Sequence, residues 1–263
     1  MSGAIETVGV VGAGFMGTGI AEAVARAGLD ARLHEPNPAP LERSQARLGE
    51  SVAAAVAGGK LEEADAEALK GRVTWTTNRD DLADCDLAIE AVTEDPEVKN
   101  AVFHSLDAVL GPGAIIASNT SSIPIAELAS QTRRRDRVLG LHFFSPAPVM
   151  KLVEVVVGID TSDQTVERAE AFVEGIGKRP IRTKDRSGFI VNMLLVPYLM
   201  AVCGCTRRDS PRARRSMRAC ASAAATRWGH SSSPTSSAST SSTPSATPST
   251  RSSSAPSTHR HRS

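Results

Sequence analysis

The stretch Val8-Gly9-Val10-Val11-Gly12-Ala13-Gly14-Phe15-Met16-Gly17 decides the fold. Apolar, mostly β-branched residues run into glycines at 12, 14 and 17. A helical pattern, Gly19-Ile20-Ala21-Glu22-Ala23-Val24-Ala25-Arg26-Ala27, follows at once and stops at Gly28, a good residue just past a helix end. A buried strand that turns tightly into a helix needs glycine in three places. Gly12 permits the turn, Gly14 lets the backbone approach a pyrophosphate, and Gly17 lets the helix pack closely on the strand. Ala13, Phe15 and Met16 complete the turn, and the helix start presents free N–H groups and a positive dipole end to phosphate. A second strand, Ala31 to Glu35, ends in an acid roughly 20 residues past the glycines, where a carboxylate can accept both hydroxyls of an adenosine ribose. Because an acid there repels a 2′-phosphate, the expected cofactor is NAD rather than NADP. The competing reading of Glu35 is a solvated strand end.

The chain has 263 residues and a net charge of +1, which suits one or two domains of ordinary soluble type. It contains no run of about 18 apolar residues, so no membrane span is expected. Residues 1–6 lack the basic and apolar regions of a signal peptide, which points to a cytoplasmic protein. Cys85, Cys203, Cys205 and Cys220 make neither a disulfide framework nor a metal-ligand spacing, so no metal is expected.

The near-neutral total hides a split. From Cys203 onward there are ten arginines, no lysine, a single acid (Asp209), and no Val, Leu, Ile or Phe. Such a segment cannot bury enough apolar area to offset about 1–2 kcal/mol of backbone entropy per residue. Residues 203–263 are therefore expected to be a disordered, low-complexity tail, with a vocabulary like that of a GC-rich gene read out of frame beyond about Ala201. A nucleic-acid-binding tail is the rival, but aromatics interleaved with the arginines are lacking.

Between these ends, short apolar strands alternate with helical segments. Helices are expected over Asn37 to Gly59, Leu61 to Leu69, Pro96 to Leu110, Pro124 to Ser130 and Asp163 to Gly175. Strands are expected over Arg72–Trp75, Asp86–Val92, Ala114–Ala117, Arg137–Phe144, Leu152–Val157 and Arg179–Thr183. This alternation predicts an α/β, doubly wound, mainly parallel Rossmann-type sheet over residues 1–185. An apolar helix beginning at Gly188 then opens a second, helical domain over 186–202, and its apolar surface from Phe189 to Met200 is expected to be exposed.

In a doubly wound fold, ligands sit beyond the carboxyl ends of the strands. Ser121 follows the fifth strand, His142 ends the sixth, and Glu154 lies on the next, within hydrogen-bonding reach. Removing a hydride from a secondary alcohol requires a base for the hydroxyl proton, a task within the range of His. A carboxylate behind the imidazole fixes its tautomer and stabilises the imidazolium as it forms. A hydroxyl and an amide, Ser121 and Asn192, could hydrogen-bond the substrate oxygen. The competing reading of His142 is a structural strand-end histidine.

These residues lie in motifs that together resemble the 3-hydroxyacyl-CoA dehydrogenase family, and within it the bacterial 3-hydroxybutyryl-CoA dehydrogenases. The motifs are Gly12-Ala13-Gly14-Phe15-Met16-Gly17, Ser118-Asn119-Thr120-Ser121-Ser122, Leu141-His142-Phe143-Phe144, Val149-Met150-Lys151-Leu152-Val153-Glu154 and Gly188-Phe189-Ile190-Val191-Asn192. The resemblance spans about residues 5 to 200. It implies NAD-dependent oxidation of an acyl-CoA substrate, with His142 as base, Glu154 as its partner, and Ser121 and Asn192 positioning the substrate. It also implies Glu94, Lys99, Ser121 and Ser145 at the NAD, and Ser51 and Lys60 at the CoA, although both of the last two also read as solvated face. Ser145 stands where the family usually has Asn, and Met193 where Arg is frequent. The family's helical C-terminal domain does not follow Met200, so its homodimer is expected to be compromised. A dehydrogenase of free 3-hydroxy acids, and an NAD-binding relic without turnover, are the alternatives.

Overall fold

Strand β1 (Thr7–Val11) is followed by α1 (Phe15–Arg26), β2 (Asp30–His34), α2 (Pro38–Ala57), α3 (Glu63–Gly71), β3 (Val73–Thr76), β4 (Leu87–Glu90) and α4 (Pro96–Val109). Then come β5 (Ile115–Ser118), α5 (Ile125–Ala129), β6 (Val138–Phe143), β7 (Leu152–Val157), α6 (Asp163–Gly175), β8 (Arg179–Lys184) and α7 (Val191–Thr206). The structure, a computed structural model, describes residues 3–206, and side chains as far as Ala201. Residues 203–206, expected to belong to the tail, instead continue α7; Cys220 and the rest of the tail lie outside the described residues, as do the side chains of Cys203 and Cys205, whereas Cys85 is a buried free thiol.

The strands form one sheet in the order β3-β2-β1-β4-β5-β6-β7-β8. β4, β5 and β6 are buried at every position, as parallel strands covered on both faces must be. One face packs Val8, Val10, Leu33 and Ile89 against Ile20 and Val24 of α1, Leu48 of α2 and Phe172 of α6. The other packs Val11, Ala88 and Ile116 against Phe103 and Leu106 of α4 and Leu128 of α5. The strand order reverses beside β1, so the mouth of the sheet between β1 and β4 is where a ligand belongs.

Within this mainly parallel sheet one pair runs the other way. β7 is antiparallel to β6, with His142 directly opposite Glu154. Residues 144–151 are too short to hold a crossover helix, so the chain can only fold back. The connection packs on α1, where a Cβ at Gly19 would come within 3.1 Å of Pro148 and 3.2 Å of Ala147. Lys178 pins it from below, donating from Nζ to the carbonyls of Ala147 (2.6 Å) and Met150 (2.8 Å). Burial pushes the pKa of that lysine down to about 8.

Two of the three glycines stand where steric need explains them. Gly12 has φ +109°, in the region that L side chains rarely adopt. A Cβ at Gly17 would lie 1.8 Å from the Gly12 carbonyl oxygen and 3.5 Å from Val10, so helix and turn meet without room for a methyl group. Gly17→Ala is therefore expected to cost about 3 kcal/mol and to weaken NADH binding more than about tenfold, since the phosphate cradle must shift. Gly49→Ala on α2, where a Cβ meets nothing within 4 Å, is the control and should be neutral or slightly stabilising. Thermal melts with NADH calorimetry decide it. A Gly17→Ala protein as stable as the Gly49→Ala protein overturns the close-packing account.

The terminal helix begins later than its pattern suggests. Gly188 (φ +77°) and Phe189 (φ +50°) turn the chain before α7 starts, and Phe189 is buried at 2% exposure. The expectation that apolar exposure starts at Phe189 is thus corrected. From Met193 to Met200 the large apolar side chains are 43–68% exposed. No helix among the described residues is long and apolar enough to cross a membrane.

Candidate active site

Two clefts open along the carboxyl ends of the strands, of about 670 and 530 Å³. Gly14, Ala91, Val92 and Thr93 line both, so the pair forms a trough divided by the glycine turn, a shape that suits a two-part ligand. The larger cleft is walled by Glu35 and Pro36 after β2, and by Val98, Ala101 and Val102 of α4. Arg43, Arg47 and Arg79 line it as well. The smaller is lined by Met16, Glu94, Lys99, Asn119, Ser121, His142, Phe144, Ser145 and Asn192.

The turn between them fits a dinucleotide. A Cβ at Gly14 would meet nothing within 4 Å, so the backbone there faces open space. Gly14 caps α1 without a side-chain hydrogen bond, which leaves the first-turn N–H groups to a ligand. The Glu35 carboxylate lies across the turn, 3.5 Å from the Ala13 N–H and from the Asn37 N–H. These observations test whether the residues present suit an NAD, and they do.

In the smaller cleft, His142 and Glu154 are both buried, and His142 Nδ1 lies 2.7 Å from Glu154 Oε2. An ionised carboxylate only accepts, so Nδ1 carries the proton and Nε2 keeps its lone pair. Phe144 and Phe189 flank the imidazole with ring centroids at 4.6 and 5.6 Å, which restricts its rotation. The other oxygen of Glu154 accepts from the N–H groups of Ile190 and Val191, both at 2.9 Å. One carboxylate thus orients the imidazole and anchors the start of α7, one residue before Asn192. Although burial alone would raise its pKa, the bonds from His142, Val191 and Ile190 outweigh that and hold Glu154 below the usual carboxylate range.

Beside this pair sits a second carboxylate. Glu94 Oε1 accepts from the Ser121 N–H (2.9 Å), the Ser122 hydroxyl (3.1 Å) and the Thr120 hydroxyl. Its pKa is also lowered: the Thr120 hydroxyl, Lys99 and the Ser121 N–H overcome the effect of partial burial. Lys99 lines the cleft, but its Nζ is already engaged by Glu90 (2.6 Å) and Glu94 (3.2 Å). Asn119 Oδ1 accepts from the Phe143 N–H at 2.9 Å, tying the loop after β5 to the end of β6.

The structure therefore gathers His142, Ser121, Asn192, Glu94, Lys99 and Ser145 around one cleft, with Glu154 directly behind it. Glu35, Gly12 and Ala13 line the other cleft, and Gly14 both. Ser51, on α2, and the exposed Lys60 line neither. Reading the sequence missed the contributions of Glu90, Asn119 and Thr120. Asn119 and Thr120 were legible at least as neighbours of Ser121 on a strand-end loop; Glu90 looked like an ordinary strand residue. Among the described residues no cluster of three His, Cys, Asp or Glu could hold a metal ion.

Comparison with known proteins shows the family. The family model described as "3-hydroxyacyl-CoA dehydrogenase, NAD binding domain" matches residues 7–186. A 3-hydroxybutyryl-CoA dehydrogenase of Mycobacterium tuberculosis is 49% identical over 203 residues, covering 76% of this chain and 71% of its own. The crystal structure of FadB2 from the same organism superposes with a TM-score of 0.77 at 47% identity, covering 78% of this chain and 73% of that one. The (S)-3-hydroxybutyryl-CoA dehydrogenase of Ralstonia eutropha gives 0.76 at 42% identity, covering 80% and 75%. With its glycine turn, its trough and these relatives, the chain belongs to the NAD-dependent 3-hydroxyacyl-CoA dehydrogenases.

Proposed function

We propose that this chain oxidises (S)-3-hydroxyacyl-CoA, with 3-hydroxybutyryl-CoA as the expected substrate, to the 3-oxoacyl-CoA, with His142 as base. NAD, when bound along the trough, supplies the hydride acceptor. The observation that carries the reading is the buried 2.7 Å contact of His142 Nδ1 with Glu154 beside the glycine turn. His142 Nε2 takes the proton of the substrate 3-hydroxyl, and Glu154 stabilises the imidazolium as it forms. Ser121 and Asn192 donate hydrogen bonds to the substrate oxygen as its charge changes. Met16, Glu94, Lys99, Ser121 and Ser145 form the wall on the nicotinamide side. Ser51 and Lys60 are assigned to the CoA by family likeness alone.

Acetoacetyl-CoA should be reduced with NADH, and free acetoacetate should not. Activity on the free acid alone would replace this reading with that of a free 3-hydroxy-acid dehydrogenase. Glu35→Ala should weaken NADH about tenfold, through loss of charged hydrogen bonds to the ribose, and should narrow the preference for NADH over NADPH. Unchanged selectivity in calorimetry removes Glu35 from the ribose site.

A second reading is favoured by the exposed apolar residues of α7: a protein that binds NAD and turns nothing over. Calorimetric binding of NADH without reduction of acetoacetyl-CoA would establish it.

A further inference from the structure

Glu90, the last residue of β4, is fully buried and takes no part in the chemistry above. Its two oxygens accept three hydrogen bonds, two of them from residues that line the clefts. Its Oε1 accepts from Lys99 Nζ at 2.6 Å and from the Val92 N–H at 2.7 Å, and its Oε2 accepts from the Ser118 hydroxyl at 2.6 Å. Lys99, 1% exposed, reaches down from α4 and gives its second bond to Glu94 Oε2 at 3.2 Å. Glu94, 39% exposed, accepts in turn from Ser121 and its neighbours. A single ammonium thus joins a buried carboxylate to one on the cleft wall.

Stability is a weak reason for such a pair, because apolar residues of similar volume serve packing as well or better. What the pair provides is a cation at a fixed place. Held by Glu90, the Lys99 ammonium stays where it also holds Glu94, whose carboxylate is seated on the loop 120–122. Where Glu90 cannot hold the ammonium, Lys99 loses its fixed place and Glu94 loses the cation that keeps its carboxylate on that loop. We infer that Glu90 is a positioning residue of the active site, acting through Lys99 and Glu94 to set the place of Ser121. The inference rests on the proposal that the cleft holding Ser121 and His142 receives the nicotinamide and the acyl oxygen.

The test is calorimetric affinity of the full chain for NADH and for acetoacetyl-CoA in the presence of NADH, with a thermal melt of each variant. Glu90→Gln should weaken acetoacetyl-CoA about tenfold. Combined with Ser121→Ala it should be no weaker than the weaker single variant, because both changes remove the same interaction. Additive losses would overturn the inference alone. Should Glu90→Gln fold poorly, E90Q/K99M replaces the pair with neutral side chains of similar length. It is expected to restore the melt while leaving acetoacetyl-CoA about tenfold weak. Recovery of both would make the network structural and overturn the inference. Ser121→Ala binding as tightly as wild type, or a wild type that binds neither ligand, sinks the functional reading and this inference with it.

Discussion

His142→Gln lowers turnover of acetoacetyl-CoA by about a thousandfold, within the usual range for losing a general base, while NADH affinity changes by less than about twofold. Glutamine is close to histidine in reach, and its amide N–H can still donate to Glu154, so the three bonds at that carboxylate survive. Phe144 and Phe189 keep a flat side chain between them. What disappears is the lone pair on Nε2, and an amide has no comparable basicity. The proposed cofactor cradle, made of the glycine turn, the first turn of α1 and Glu35, lies on other elements and is untouched. Steady-state reduction and NADH calorimetry on the same preparation separate the two effects. If NADH binding falls with turnover, His142 is a structural residue and the base lies elsewhere.

Where sequence reading succeeded, the physics was local. Three glycines in six residues, a strand before and a helix after, admit few conformations, and Gly12 and Gly17 occupy the places that steric reasoning assigns them. The helix over Asp163–Gly175 has the expected bounds because a Ser162 cap opens it and Gly177, at φ +73°, turns the chain just past its end. Reading failed where a contact between distant segments set the outcome. The helix pattern after Gly188 ran on as one apolar stretch, yet Glu154, 36 residues earlier, fixes its start by binding the Ile190 and Val191 N–H groups. The Asp86–Val92 strand is trimmed to Leu87–Glu90. At Ala91 the chain crosses the glycine turn, where its carbonyl would be 2.6 Å from a Cβ on Gly12. Lys99 was reachable only by family likeness, and Glu90 not at all. Their link joins a strand end, a helix and the residue Ser118, with no spacing that marks it.

The sharpest consequence of the geometry falls on Glu154, because that side chain serves two elements at once. Glu154→Gln keeps the shape and changes the donors. Its amide oxygen can accept from the Ile190 and Val191 N–H groups, which leaves the NH₂ group facing His142 Nδ1. The imidazole must then carry its proton on Nε2 and present no lone pair to the cleft. A tautomer inverted in this way is expected to lower turnover by about 10⁴, with α7 still in place and NADH affinity unchanged. Glu154→Ala leaves the buried His142 N–H and two partly buried backbone N–H groups without their acceptor. It should therefore add a stability loss of roughly 3 kcal/mol and loosen Asn192.

The acid limb provides an independent reading. The pKa of Glu154 is depressed in the fold, so its contribution to stability is complete above the unfolded carboxylate value and is lost as pH falls through the folded one. The gap in melting temperature between wild type and Glu154→Ala should thus be widest near neutrality and narrow below about pH 4. A Glu154→Gln enzyme within about tenfold of wild-type turnover would show that the tautomer is not set by this carboxylate. A gap that does not change with pH would show that its charge does not hold the site together.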